Sequence, residues 1–98
     1  MKFNWDPAKA RTNLAKHGVS FEEASTVFYD QFELSRRDEA HSTGEDRWIT
    51  IGLSYRLRAL VVISTERDDE MVWIISARKA NRVEVNRYEE ARKRRSRG

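Results

Sequence analysis

The sequence predicts an α+β domain: a small, mostly antiparallel sheet packed against an N-terminal helical hairpin, with a further helix at the C-terminus. Three observations carry this expectation. Helix punctuation and a helical apolar period occupy residues 6–30, an alternating pattern takes over between Phe32 and Lys79, and a polar helical pattern follows from Asn81. A chain of 98 residues holds one core and no second one.

The first elements read as follows. In "FNWDPAKARTNLAKHG" a short extended piece, Phe3 to Trp5, precedes a helix. Asp6 suits the N-cap, Pro7 the first helical position, Lys16 and His17 the last turn, and Gly18 the left-handed residue beyond it. In "SFEEASTVFYD", Ser20 stands three residues before Glu23, the spacing of a capping box, and Phe21, Ala24, Val27 and Phe28 recur on one helical face.

The next segments are strands. "FELSRRDE" reads as a polar edge strand and "AHSTGED" as a loop. In "RWITIGLSY" one face carries Ile49, Ile51, Leu53 and Tyr55, and the other carries Trp48, Thr50, Gly52 and Ser54. "RALVVISTER" and "EMVWIISARK" are apolar on both faces in their middles, which marks central strands covered from both sides. The helical hairpin supplies one cover; the terminal helix or a partner segment supplies the other, with Trp48 and Trp73 as candidates for that second face. "NRVEVNRYEEARKRRSRG" starts at Asn81 as N-cap and runs through Tyr88 and Ala91, with only a thin apolar stripe. Residues 1–91 are thus expected to form one domain and 92–98 a basic tail.

Charge is uneven. Nineteen Lys+Arg against 16 Asp+Glu give +3, yet Arg92, Lys93, Arg94, Arg95 and Arg97 supply five of those cations, leaving 14 against 16, or −2, for the body. Nucleic-acid affinity therefore needs a local patch or the tail, whose cations equally suit a solvated helix end. There is no cysteine, which removes thiolate chemistry and disulfides and fits a reducing cytoplasm. The runs "ALVVI" and "MVWII" fall far short of the roughly 18 residues that span a bilayer, so no membrane role is expected. Two separated histidines make a poor metal site, no Gly-rich phosphate loop occurs, and no metal or cofactor is expected.

A two-residue turn at Arg56 and Leu57 would pair Tyr55 with Arg58 and bring Arg47 opposite Glu66. A tight turn at Asp68 and Asp69 would put Ser76 opposite Val61 and Arg78 opposite Ala59. The polar groups then sort to two ends of the sheet: Arg56, Arg58, Arg78 and Lys79 at one, and Arg47, Glu66, Arg67 and the loop residue His41 at the other. Arg78 offers the planar fork that suits phosphate, with Lys79 on the opposite face; the alternative is a strand end in water, paired with Glu84. Glu66 and Arg67 read either as site residues or as an ion-paired hairpin tip. His17 and His41 read either as solvated groups or as phosphate and proton-transfer groups.

Several segments together resemble a known family. "FNWDPAKARTNLAKHGVSFEEASTVFYD", "DEAHSTGEDRWITIGLS", "LVVISTER" and "IISARKANRVEVNRYEE" are similar, in order and spacing, to the BrnT toxins of bacterial type II toxin-antitoxin modules. The resemblance covers Phe3 to Glu90. It implies a RelE-like fold, a metal-independent ribonuclease that blocks translation by acting on RNA, including ribosome-bound mRNA, and a BrnA-type antitoxin. That antitoxin neutralises by binding, and operator DNA is contacted only through the complex. Carried over residue by residue, it marks His17, His41, Arg47, Glu66, Arg67 and Arg78 as catalytic candidates, and the charge placement on the sheet adds Lys79, Arg56 and Arg58 for substrate binding. Arg78 with Arg47 or Arg67 would hold phosphate, and Glu66 or His41 would move protons. The competing expectation is an inactive homologue serving as an antitoxin-binding or DNA-bound co-repressor module.

Overall fold

The computed structural model describes residues 1–68 and 70–97. In chain order it runs β1 (Lys2–Asn4), α1 (Pro7–His17), α2 (Phe21–Thr26), a 3-10 turn (Val27–Tyr29), β2 (Leu34–Arg37), β3 (Trp48–Leu53), β4 (Ala59–Arg67), β5 (Met71–Lys79) and α3 (Arg82–Arg97). The strands form one sheet in the order β1-β5-β4-β3-β2, with β1 parallel to β5 and every other pair antiparallel. Mixed α+β architecture is as expected.

Local punctuation fixes α1. The Asp6 carboxylate accepts the N–H of Ala8, and Gly18, at φ 68°, donates its N–H to the Leu14 carbonyl. The second helix starts as its sequence indicates, with Ser20 Oγ accepting the Glu23 N–H at 3.0 Å. It lasts only six residues before tightening into the 3-10 turn.

Strand alternation gives the sheet two faces. On the inner face Leu60, Val62, Ile74 and Ala77 pack with Val19, Phe21, Ala24 and Val27 in one closed core. The outer face carries Ile51 and Val61, which pack with Tyr88 of α3 in a smaller cluster that Ile49, Leu53 and Ile63 extend. A buried asparagine joins α1 to the sheet. Asn13 donates to the carbonyls of Val19 and Ala77, and its own Oδ1 accepts the N–H of Ala77. It thereby pairs backbone groups along a stretch of β5 that β1 does not reach, where buried and unpaired groups would be costly.

The expected register needs correction at both hairpins. The β3–β4 loop has three residues, Tyr55, Arg56 and Leu57, closed by Ser54 N–H donating to the Arg58 carbonyl. Leu57 adopts a left-handed φ of 61°, the geometry of a three-residue hairpin, and Ser54 Oγ accepts the Arg56 N–H inside it. The ladder therefore shifts by one: Trp48 faces Ser64, and Glu66 pairs with Val72 on its other side, not with Arg47. In the β4–β5 hairpin a bulge follows the Ser64 to Ile74 pair, so Ser76 faces Ile63 and Arg78 faces Val61. Of the acidic turn, Asp68 takes a φ of 51°, and Asp69 lies outside the described residues.

Helix α3 is longer than the pattern through Ala91 suggests and continues to Arg97. Its sheet-facing stripe is Glu84, Tyr88, Ala91 and Arg95. The apolar middle, Tyr88 and Ala91, is buried, while the ends bind by polar contacts: Glu84 to Arg78, and Arg95 to the carbonyls of Gln31 and Glu33. Tyr88 also donates its hydroxyl to Asp30 at 2.5 Å. A helix with little apolar surface thus docks through hydrogen bonds. No helix among the described residues is long and apolar enough to cross a membrane.

Candidate nucleic-acid interface

Strand β5 carries or adjoins several of the sequence candidates. At its start, Trp73 faces Thr65 and Met71 faces Arg67. Arg67 and Trp73 share the outer face, and the Arg67 guanidinium carbon lies 4.3 Å from the indole centroid. The side of the arginine away from the ring remains exposed. This makes an aromatic and cationic platform of the kind on which single-stranded bases stack.

Further along, beside the bulge, Ile75 and Ser76 line a cleft of about 320 Å³ with Lys9, Thr12, Asn13, Lys16 and His17 of α1. Residues 9, 12, 13 and 16 recur at helical spacing, so one face of α1 presents its cations to this cleft. His17, half-buried in the last turn, stands among two ammonium groups and two hydroxyls. Such a set can hold a phosphate and exchange a proton with a neighbouring hydroxyl.

Arg78 lies on the outer face at the far end of β5, with both arms taken. Its Nη1 and Nη2 donate to Glu84 Oε1 and Oε2, each at 2.8 Å, while Glu84 completes a reciprocal capping box with Asn81. The fork of Arg78, aided by the Asn81 N–H, holds the Glu84 carboxyl down at about 2 from an ordinary 4.5. A depressed carboxyl contributes stability that is complete above its ordinary value and is lost as pH falls through the folded one. The stability of wild type is expected to drop between pH 4.5 and 2 more steeply than that of Glu84→Gln, read as thermal midpoints across that range. Parallel curves would show that the pair contributes nothing.

The other candidates go elsewhere. Lys79 faces Leu60, on the inner side. Arg58 pairs with Glu23 through Nε at 2.9 Å and through Nη2, and reaches the Gly18 carbonyl at 3.2 Å; Arg56 stands 3.8 Å from the same Glu23. Arg58 thereby serves the fold, and Glu23 uses its carboxylate on Arg58 and on Ser54 rather than on Ser20. The Arg58 fork holds the Glu23 carboxyl below its ordinary range against the opposing effect of burial. His41 bonds Asp38 through Nδ1 at 2.9 Å on an exposed loop. The backbone of Arg47 is clipped to that loop, its N–H to Ser42 Oγ and its carbonyl to the Asp38 N–H.

Glu66 falls on the inner face, one residue from Arg67 and pointing the other way. It lines a second cleft, of about 270 Å³, with Glu33, Ser35, Trp48, Thr50 and Ser64. Burial, with the charge of Asp30, raises the Glu33 carboxyl above its ordinary range. Asp30 itself is held low: burial opposes this, but the Leu53 N–H, the Tyr88 hydroxyl and the Phe32 N–H outweigh it. Of the sequence candidates, His17 lines the cleft beside the middle of β5 and Arg67 packs on Trp73 near the strand's start, while Arg78 lies at its far end and Glu66, His41, Arg47, Arg56, Arg58 and Lys79 lie elsewhere. Lys9 was not singled out in the sequence, Lys16 was read only as a helix-end cation and Ser76 only for its register.

Three comparisons bear on this arrangement. No curated protein matches the chain. A crystal structure of the Brucella abortus ribonuclease toxin BrnT superposes with a TM-score of 0.62 at 30% identity, covering 84% of this chain and 99% of that one. The sequence also matches, over residues 5–84, the family described as "Ribonuclease toxin, BrnT, of type II toxin-antitoxin system". With most of its length inside that match and the same fold as the Brucella toxin, the chain belongs to the BrnT family of ribonuclease toxins.

Proposed function

We propose that the protein is a metal-independent endoribonuclease that arrests translation by cutting RNA, ribosome-bound mRNA included, and is neutralised by a BrnA-type antitoxin through which alone it meets operator DNA. The observation that carries this reading is the meeting, on one strand, of a His and Lys cleft with an Arg and Trp platform. Bases stack on Trp73 and Arg67, and the cations of α1 hold the backbone phosphates. In the reaction the RNA 2′-oxygen attacks the adjacent phosphorus and the bond to the 5′-oxygen breaks. His17 takes the 2′-hydroxyl proton and Lys16 returns one to the leaving oxygen. Arg67 offsets the charge that builds on the phosphorus oxygens. Metal independence rests on the donor set: two histidines on separate elements, no cysteine, and no group of three metal-ligating side chains among the described residues.

One observation favours a second reading, an inactive homologue that acts as an antitoxin-binding or co-repressor module: Glu84 already occupies the Arg78 fork. Incubating purified protein with RNA in excess EDTA decides between them. Cleavage is expected in wild type and in Glu66→Gln, and none in His17→Asn. Binding without cleavage by wild type would establish the inactive module. Loss in Glu66→Gln alone would move the chemistry to the Glu33 and Glu66 cleft.

A further inference from the structure

The outer face holds a groove beside the docking stripe of α3 and apart from the RNA platform. Along α3, the stripe next to the docked one runs Val83, Arg87, Glu90 and Arg94. It faces edge strand β2 across a hollow of about 510 Å³ that includes Leu34, Ala91 and Arg94. A second hollow, of about 250 Å³, continues from Leu34 and Arg87 onto Arg36, Ile49 and Ile51. The two share lining residues and form one channel. Its floor is aliphatic, and Val83 stands 61% exposed at its wall. Its rim carries Arg36, Arg87 and Arg94 against a single acid, Glu90.

The floor chemistry selects the class of occupant. Nucleic-acid bases stack on aromatic rings, and this channel offers none, whereas the β5 platform does. An aliphatic floor with a cationic rim fits a peptide whose apolar side chains fill the channel and whose acidic flank meets the arginines. We propose that this groove is the docking site for an acidic amphipathic segment of the antitoxin, an inference that rests on the toxin-antitoxin reading above. Cross-strand pairing extends the site: Arg36, Ile49, Ile63 and Ser76 form one row across the outer face, from the groove to the α1 cleft. A segment seated in the groove and continued along this row ends at Ser76 on the edge of the α1 cleft, so neutralisation is by direct occlusion of that cleft.

The test titrates the purified antitoxin from the same operon into wild type, into Arg87→Glu/Arg94→Glu and, separately, into Val83→Asp. All three side chains are exposed, so the fold is retained. Each variant is expected to bind the antitoxin about 30-fold more weakly or worse, the size of an interface hot spot, while cutting RNA at the wild-type rate. Wild-type antitoxin affinity in both variants overturns the proposal. So does loss of RNA cleavage in either, which would assign the groove to RNA, or a wild-type dimer that both variants dissociate, which would assign it to a second copy. Should wild type itself not cut RNA, the ribonuclease reading fails and the titration still decides the groove.

Discussion

Arg67→Ala is expected to slow RNA cleavage by about 10²–10³-fold, the loss seen when one donor to a developing oxyanion is removed. The expected cost in stability is small, because Arg67 is exposed and its guanidinium packs on the Trp73 ring. A surface cation and ring pair contributes about 0.5–1 kcal/mol. Initial rates on a labelled RNA, set beside thermal midpoints of the same samples, read both effects. Arg67→Lys keeps the charge but loses the planar fork and most of the stacking, so an intermediate rate is expected. Arg78→Ala is a poorer probe, since it strands the Glu84 carboxylate and disturbs the start of α3. Wild-type rates in Arg67→Ala would place phosphate binding away from the Trp73 platform.

The second large effect concerns the fold. Glu23 is 3% exposed and gathers Arg58, Ser54 and, more distantly, Arg56 around one carboxylate. Glu23→Ala leaves the Arg58 guanidinium without its partner at a half-buried position. Removing one member of a buried pair costs about 3–5 kcal/mol, and the partial solvation of Arg58 places this case near the lower end, at about 3 kcal/mol. That is a large share of the roughly 5–15 kcal/mol that holds a domain of this size together. Urea denaturation of wild type, Glu23→Ala, Arg58→Ala and the double variant closes the cycle. The double variant should lose clearly less than the sum of the singles; simple additivity would mean that the pair is not coupled. Because the Glu23 carboxyl is held low, this contribution is present at neutral pH and disappears as pH falls through its folded value.

What could be read from the sequence was what short-range chemistry decides. Asp6, Pro7 and Gly18 bound α1 within a few residues, and alternation alone placed Ile49, Ile51 and Leu53 on one face and Thr50 and Gly52 on the other. Register was not legible, because it depends on Leu57 accepting a left-handed backbone and on a bulge that no residue type announces. The spacing of Ser20 and Glu23 pointed to a reciprocal capping box; the carboxylate instead serves Arg58, 35 residues away, and the reciprocal box forms at Asn81 and Glu84. Asn13 carried no local signal at all, since its partners on β5 lie 64 residues further on. The candidate site followed the same division. The "KHG" and "SAR" segments were visible, but that His17 and Ser76 line one cleft while Glu66 lines another is a property of the assembled sheet.

The bulge in β5 acts on the strand as a frameshift acts on a message. Counting in twos from Met71 and Trp73, which face outward, the outward positions would be Ile75, Ala77 and Lys79, and Arg78 would point at the helices. One extra residue resets the frame, so that Ser76 and Arg78 face outward instead. Every side chain beyond that point keeps its identity and exchanges its audience. The chemistry presented on the outer face along the second half of β5 is therefore written in the length of the strand as much as in its letters.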